Sequence, residues 1–177
     1  MAHYAPWVAA TSGLGDLDAV QVSTVLGGST VELTPYIDPA EEGIWGGFAS
    51  EDLELALQLM HLWFTDPHFD EAALDAAKDA DRVYLDDPLS DPGFASYAAL
   101  NEARYGADPR FAVLPSAEQL DALTTDDVER IFRDRFTGGD WIFVISGDID
   151  PDATVELARQ YLGTLPGGAA TEEYLDV

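Results

Sequence analysis

The sequence predicts an α+β fold: a mainly antiparallel sheet of three or four strands with helices packed largely on one face. Three observations carry this. Residues 29–38 and 43–49 read as a pair of strands joined by a short turn. Residues 141–146, Trp-Ile-Phe-Val-Ile-Ser, form a continuous apolar run between turn residues, the pattern of an interior strand. Residues 51–65 are apolar on two faces, and such a helix has to be buried between layers.

Each element follows from local chemistry. Residues 5–12 and 16–26 read as two short helices broken by Gly13 and Gly15, with Asp16 as N-cap of the second and Gly27-Gly28 ending it. In 29–38, Val31, Leu33 and Ile37 alternate with Glu32, Thr34 and Tyr36, as a half-buried strand requires. Pro39 to Glu42 is a turn, so the strand of 43–49 returns antiparallel. Ser50 is placed to cap the helix of 51–65. In that helix Leu53, Ala56, Leu57, Met60 and Phe64 form one stripe and Leu55, Leu59 and Leu62 a second. Asp66-Pro67 stops it. A helix with an acidic outer face then runs from about residue 70 to Tyr84, and Asp87-Pro88 and Asp91-Pro92 punctuate the loop before a helix over 94–105. Ser116 opens a short helix. The Thr124-x-x-Asp127 capping box opens another, with Val128, Ile131, Phe132 and Phe136 inward. Asp150-Pro151 starts the last helix, with proline at its tolerated first position, and Gly163 ends it. The expected core includes Leu57, Met60, Phe64, Ile131, Phe132, Phe143 and Ile145.

The domain expectation is a single unit over 1–166 with 167–177 as tail or linker. Three strands are few for so much helix, so further strands are expected before residue 1, and an unpaired sheet edge invites pairing with a second copy.

Composition narrows the function classes. The 177 residues carry 8 Lys+Arg against 34 Asp+Glu, a net charge of −26, with 47% hydrophobic residues and no cysteine. A chain so acidic is repelled by nucleic acid and by anionic lipid, so neither is an expected partner. No apolar run approaches the ~18 residues that span a bilayer. The start Met1-Ala2-His3-Tyr4 lacks the basic and apolar regions of a signal peptide, which leaves a cytoplasmic, periplasmic or secreted location equally open. The absence of cysteine excludes disulfides, thiolate metal sites and a cysteine nucleophile.

The candidate chemistry is sparse. His61 and His68 are separated by Pro67 and cannot share a helical face, and His3 stands alone, so none of the three lies in a metal-binding motif. Asp148-x-Asp150-x-Asp152 opens like a calcium loop but continues with Ala153 and Arg159 where glycine and glutamate belong, and reads instead as a helix cap. Ser12-Gly13-Leu14-Gly15-Asp16 has no preceding strand and no lysine to cradle phosphate. Ser146 lacks the surroundings of a nucleophile elbow. No catalytic, cofactor-binding or metal residue is assigned.

The order of several segments carries a resemblance. Ser12-Gly-Leu-Gly-Asp-Leu is followed by Val31-Glu-Leu-Thr-Pro-Tyr-Ile and Glu42-Gly-Ile-Trp-Gly. Next come Asp52-Leu-Glu-x-x-Leu-Gln-Leu, Phe64-Thr-Asp-Pro and Arg104-Tyr-Gly-x-Asp-Pro-Arg, then Trp141-Ile-Phe-Val-Ile-Ser-Gly-Asp-Ile-Asp and Tyr161-Leu-Gly-Thr-Leu-Pro-Gly. Taken together these pieces, over roughly residues 4–167, resemble the insulinase/pitrilysin family of zinc peptidases. The likeness is to an inactive domain, most like the opening domain of the C-terminal half. In that family related α+β domains pair into halves that enclose a chamber, and the catalytic domain carries H-x-x-E-H plus a distal glutamate. Here residues 3–16, where the motif would fall, hold one histidine and no glutamate, and residues 70–87 hold only Glu71.

The resemblance therefore implies a non-catalytic structural and substrate-chamber domain of a zinc metallopeptidase. Its partners would be a catalytic half and peptide substrates, with zinc only in that partner domain. The chain alone is expected neither to cleave peptides nor to retain zinc. The other reading is a free-standing acidic module on the same fold that binds cationic peptides or divalent ions.

Overall fold

The computed structural model describes residues 1–39, 41–87, 89–106, 108, 111–136 and 141–167. The expected tail beyond Gly167 and several turn positions, Ala40 and Pro88 among them, lie outside the described residues. The element order is α1 (Tyr4–Thr11), α2 (Ala19–Leu26), β1 (Glu32–Ile37), β2 (Glu42–Gly47), a 3₁₀ turn (Ser50–Asp52), α3 (Leu53–Thr65), α4 (Glu71–Asp86), α5 (Pro92–Tyr105), α6 (Ala117–Ala122), α7 (Thr125–Phe136) and α8 (Pro151–Tyr161). The fold is helix-rich α+β with a small antiparallel sheet.

That sheet has two strands among the described residues, paired Glu32 with Gly47 through Ile37 with Glu42. One face, carrying Val31, Leu33, Pro35 and Ile37, turns inward to the helices, while Glu32, Thr34 and Trp45 face solvent. Helices thus cover one face, as the alternation of residues 29–38 predicts.

The expected strand over 141–146 is not one. Its side chains alternate in burial as a strand's do, but no described backbone group pairs with it. The reason is that strand character belongs to a pair: an apolar run supplies the side chains, and only a neighbour closes the ladder. Phe143 and Ile145 are accordingly half-buried rather than core. Ile131 is half-buried too, whereas Leu57, Met60, Phe64 and Phe132 are buried as expected.

Helix α3 organises the interior. Ala56, Leu59, Trp63 and Phe64 join a large cluster with Tyr4, Val8, Leu74, Leu120, Val128, Phe132 and Phe136. Leu53, Leu57 and Met60 form a second cluster, lined by Leu33, Ile44, Phe48, Phe143 and Leu157. Two apolar faces serve two clusters, although Ala56 and Phe64 sit with Leu59 rather than with Leu57.

Caps fix the helix ends, with two changes from expectation. Asp18, not Asp16, caps α2, and Asp18 and Gln21 complete a reciprocal capping box. Ser50 opens the 3₁₀ turn instead of capping α3, which begins at Leu53. Ser116 and Gln119 box α6. Thr124 and Asp127 exchange bonds at the start of α7. Asp150 caps α8 by accepting from the backbone of Asp152 and Ala153.

Candidate functional site

The position of greatest interest is where the N-terminus of α1 meets α4. The peptidase resemblance puts its metal motif near the first helix and its distal glutamate on the helix of α4, and the structure packs these two helices together. Helix α1 is short and apolar. Tyr4, Ala5, Val8 and Ala9 are buried on a face that meets β1, α4 and α7. Pro6 falls in its first turn, where a missing N–H removes no helical bond.

At this junction the Tyr4 hydroxyl donates to Asp81 Oδ2 across 77 residues of sequence, and His3 Nε2 lies 3.9 Å from the same oxygen. Burial, reinforced by the bond to Asp81 and by its charge, holds the Tyr4 phenol well above its ordinary range. Burial lowers the His3 imidazole, with a nearby amino group adding to this and Asp81 opposing it. This junction is a neutral tyrosine clamped on a carboxylate beside a histidine that favours its neutral form.

Such a group does not fit catalytic zinc, which takes about three protein ligands and a water. His3 and Asp81 offer two, and one oxygen of the second is held by a hydroxyl. Among the described residues no three His, Asp or Glu side chains converge anywhere. Glu71, the one glutamate in the stretch the resemblance singles out, stands exposed at the first position of α4.

The other candidate residues are dispersed. His61 Nδ1 lies 2.7 Å from the Tyr161 carbonyl, so that ring nitrogen carries the proton and ties α3 to α8. His68 donates its backbone N–H to Gly13 O at 3.2 Å. The segment of Ser12 to Asp16 forms a clasp onto the turn after α3. Ser12 Oγ accepts from Asp70 N at 2.8 Å, Gly13 N donates to Asp70 Oδ2 at 3.2 Å, and Gly15 N donates to Asp66 O at 3.0 Å. Gly15 needs its glycine, since its φ is +58°. The Ser50 hydroxyl donates to the carbonyl of Asp148, and Asp150 does capping duty. Ser146 is exposed.

Two features escaped the sequence reading. The Tyr4–Asp81 bond joins residues with no local spacing signal. Lys78, the single lysine of the chain, is only 8% exposed and donates from Nζ to Leu123 O at 2.5 Å. Its place on the inner side of α4, one turn after Leu74 and next to Ala77, was the available clue. A small groove of about 90 Å³, lined by polar and apolar surface in equal parts, lies between α1, α2, β1 and α3 among Ala9, Ser12, Leu14, Val22, Glu32, Leu59 and Trp63. Among the described residues no helix is long and apolar enough to cross a membrane.

No protein-family model matches the chain, and no curated protein sequence matches it. Solved structures do. One is a mutant of the ferredoxin protease FusC in complex with Arabidopsis ferredoxin, matched with a TM-score of 0.68 at 15% identity over 98% of this chain and 19% of that one. Another is the periplasmic protease PqqL from Escherichia coli, with a TM-score of 0.70 at 19% identity over 94% of this chain and 18% of that one. The chain shares the fold of a part of each of these proteases. It spans about one-fifth of the length of either.

Proposed function

We propose that this chain is a non-catalytic domain of an insulinase/pitrilysin-type peptidase, which helps enclose peptide substrates for a catalytic domain elsewhere in the enzyme. One observation carries the reading. The α1–α4 junction, which the resemblance marks as the metal position, holds a Tyr4–Asp81 hydrogen bond and a single histidine. Its chemistry is structural: a buried hydroxyl on a carboxylate fixes two helices and leaves too few ligands for zinc. The superposition on about one-fifth of two larger peptidases supports a part-domain role.

The test is to remove residues 1–177 from the peptidase that carries them and leave the catalytic domain folded. Turnover of peptides and selectivity for their length should both fall, since an open chamber no longer restricts or retains substrate. Unchanged turnover and selectivity would overturn the chamber role. So would chelator-sensitive hydrolysis by the chain alone that is lost on His3→Ala or Asp81→Asn.

A further inference from the structure

The solvent face of the β1–β2 hairpin carries a tryptophan that the fold leaves uncovered. The register sets Glu32, Thr34 and Tyr36 of β1 against Gly47, Trp45 and Gly43 of β2 on that face. Trp45 is 68% exposed, and among the described residues no other ring touches it. Tyr36 leans across Gly43, where a Cβ would sit 2.6 Å from its hydroxyl oxygen and 2.7 Å from two of its ring carbons. Thr34, opposite Trp45, is small and exposed, and Gly47 adds no side chain beyond the indole. The result is an aromatic surface open to solvent. Acids ring it. Glu32 stands diagonal to Trp45, and Asp38, Glu41 and Glu42 gather at the turn beyond Tyr36. The Tyr36 phenol is held above its ordinary range, first by burial and then by the charges of Glu41, Asp38 and Glu42, so their field reaches the aromatic surface itself. Among the described residues none of these four acids pairs with a base. No lysine or arginine occurs in the sequence before Lys78.

We propose that this hairpin face binds an arginine side chain of a polypeptide, with the guanidinium stacked on the Trp45 indole and bonded to the carboxylates around it. Indole is the strongest of the aromatic rings in attracting a cation. A guanidinium lies flat on such a ring while its fork of N–H groups donates sideways to carboxylates, and it loses less hydration than an ammonium in doing so. Lysine, a compact and strongly hydrated point charge, gains less from the ring. A metal ion has no use for the indole, and among the described residues no three acids converge to hold one. A second copy is a poor occupant, since it brings 34 acids with its 8 bases. The site goes beyond the chamber reading and shares no residue with the α1–α4 junction that carries it.

The experiment adds an acetylated and amidated Gly-Gly-Arg-Gly-Gly peptide to the 1–177 chain. Affinity is read by calorimetry and location by the indole N–H resonances, that of Trp45 being the one lost in Trp45→Leu. The Trp45 resonance should shift saturably. The citrulline peptide, alike in shape but uncharged, should bind at least tenfold more weakly, and the lysine peptide severalfold more weakly. Trp45→Leu should weaken binding at least tenfold and Trp45→Phe less, with thermal unfolding unchanged because the ring is exposed. Glu32→Gln and Glu41→Gln should each weaken it about threefold, as should raising salt from about 0.1 M to about 1 M. Thr34→Lys, which sets an ammonium beside the indole, should abolish it. Free arginine, whose carboxylate these acids repel, should bind more weakly than the peptide. Equal binding of the citrulline peptide, tighter binding of lysine or of free arginine, or full affinity in Trp45→Leu would each overturn the proposal. So would shifts confined to Trp7, Trp63 or Trp141. Any of these failures leaves the chamber reading intact, because that reading stands or falls on turnover after deletion.

Discussion

At the scale of single residues, the interior of this protein contains few polar groups, and each is bonded. Among the described residues no buried side-chain nitrogen or oxygen lacks a partner. Tyr4 is the informative case, because it is 2% exposed and its hydroxyl reaches a charged acceptor on another helix. A hydrogen bond to a charged group contributes more than a neutral one, so Tyr4→Phe should destabilise the fold by about 1–2 kcal/mol in urea unfolding. Tyr4→Phe combined with Asp81→Asn should cost less than the two single changes added together, because both remove one bond. The same bond has a pH signature. Folding raises the Tyr4 phenol above its unfolded value of about 10, so the native state binds the proton more tightly. The stabilisation is therefore complete below about pH 10 and is lost as pH rises beyond it, and in Tyr4→Phe that alkaline loss should shrink. An identical alkaline slope in both proteins would show that the Tyr4–Asp81 bond does not couple folding to this proton.

Among the elements, the hairpin shows where backbone geometry dictates sequence. Gly46 has a φ of +150°, and a Cβ there would sit 1.9 Å from the Glu32 carbonyl oxygen, inside the partner strand. Neither atom is the end of a flexible side chain, so the clash cannot relax cheaply. Gly46→Ala should cost about 2 kcal/mol or more and loosen β1 from β2, seen as faster exchange of the ladder amides. Gly47 is a built-in control, because a Cβ there meets nothing within 4 Å. The hairpin and the helices were legible in the sequence because their signals are local: alternation in Val31 to Ile37, the capping boxes at Ser116 and Thr124, and Pro151 after Asp150. Residues 141–146 mark the limit of such signals. The continuous apolar run there predicts an interior strand, yet Ile142 and Val144 are exposed, because whether a ladder forms depends on a neighbour that local pattern cannot specify. The α1–α4 junction was partly legible. That residues 3–16 hold one histidine and no glutamate could be read from the sequence, whereas the pairing of Tyr4 with Asp81 is a tertiary contact with no periodicity to betray it.

The whole molecule is governed by a charge imbalance that its few bases do not offset. Arg82 pairs with Asp79 and Asp121, Arg130 with Asp127, Arg133 with Glu129 and Arg159 with Glu156, mostly within one helix and all near the surface. Exposed pairs of this kind contribute about 0–1 kcal/mol each, and salt weakens them. Against them stands the mutual repulsion of a net −26 folded into 19.1 kDa. Two like charges 10 Å apart in water repel by about 0.4 kcal/mol, and a compact chain holds many such pairs that unfolding would separate. The repulsive sum is long-ranged and the attractive one is short-ranged, so screening removes more of the first than of the second. A Debye length that shrinks from about 10 Å at 0.1 M to about 3 Å at 1 M cuts repulsion between most acids and leaves contacts near 3 Å less affected. Tm should therefore rise steadily with sodium chloride across that range. At roughly 2–4 °C per kcal/mol for a chain of this size, even a few kcal/mol of relieved repulsion is readily measured by calorimetry. A flat or falling Tm would mean that the local arginine pairs dominate and that the acidic surface carries no net strain.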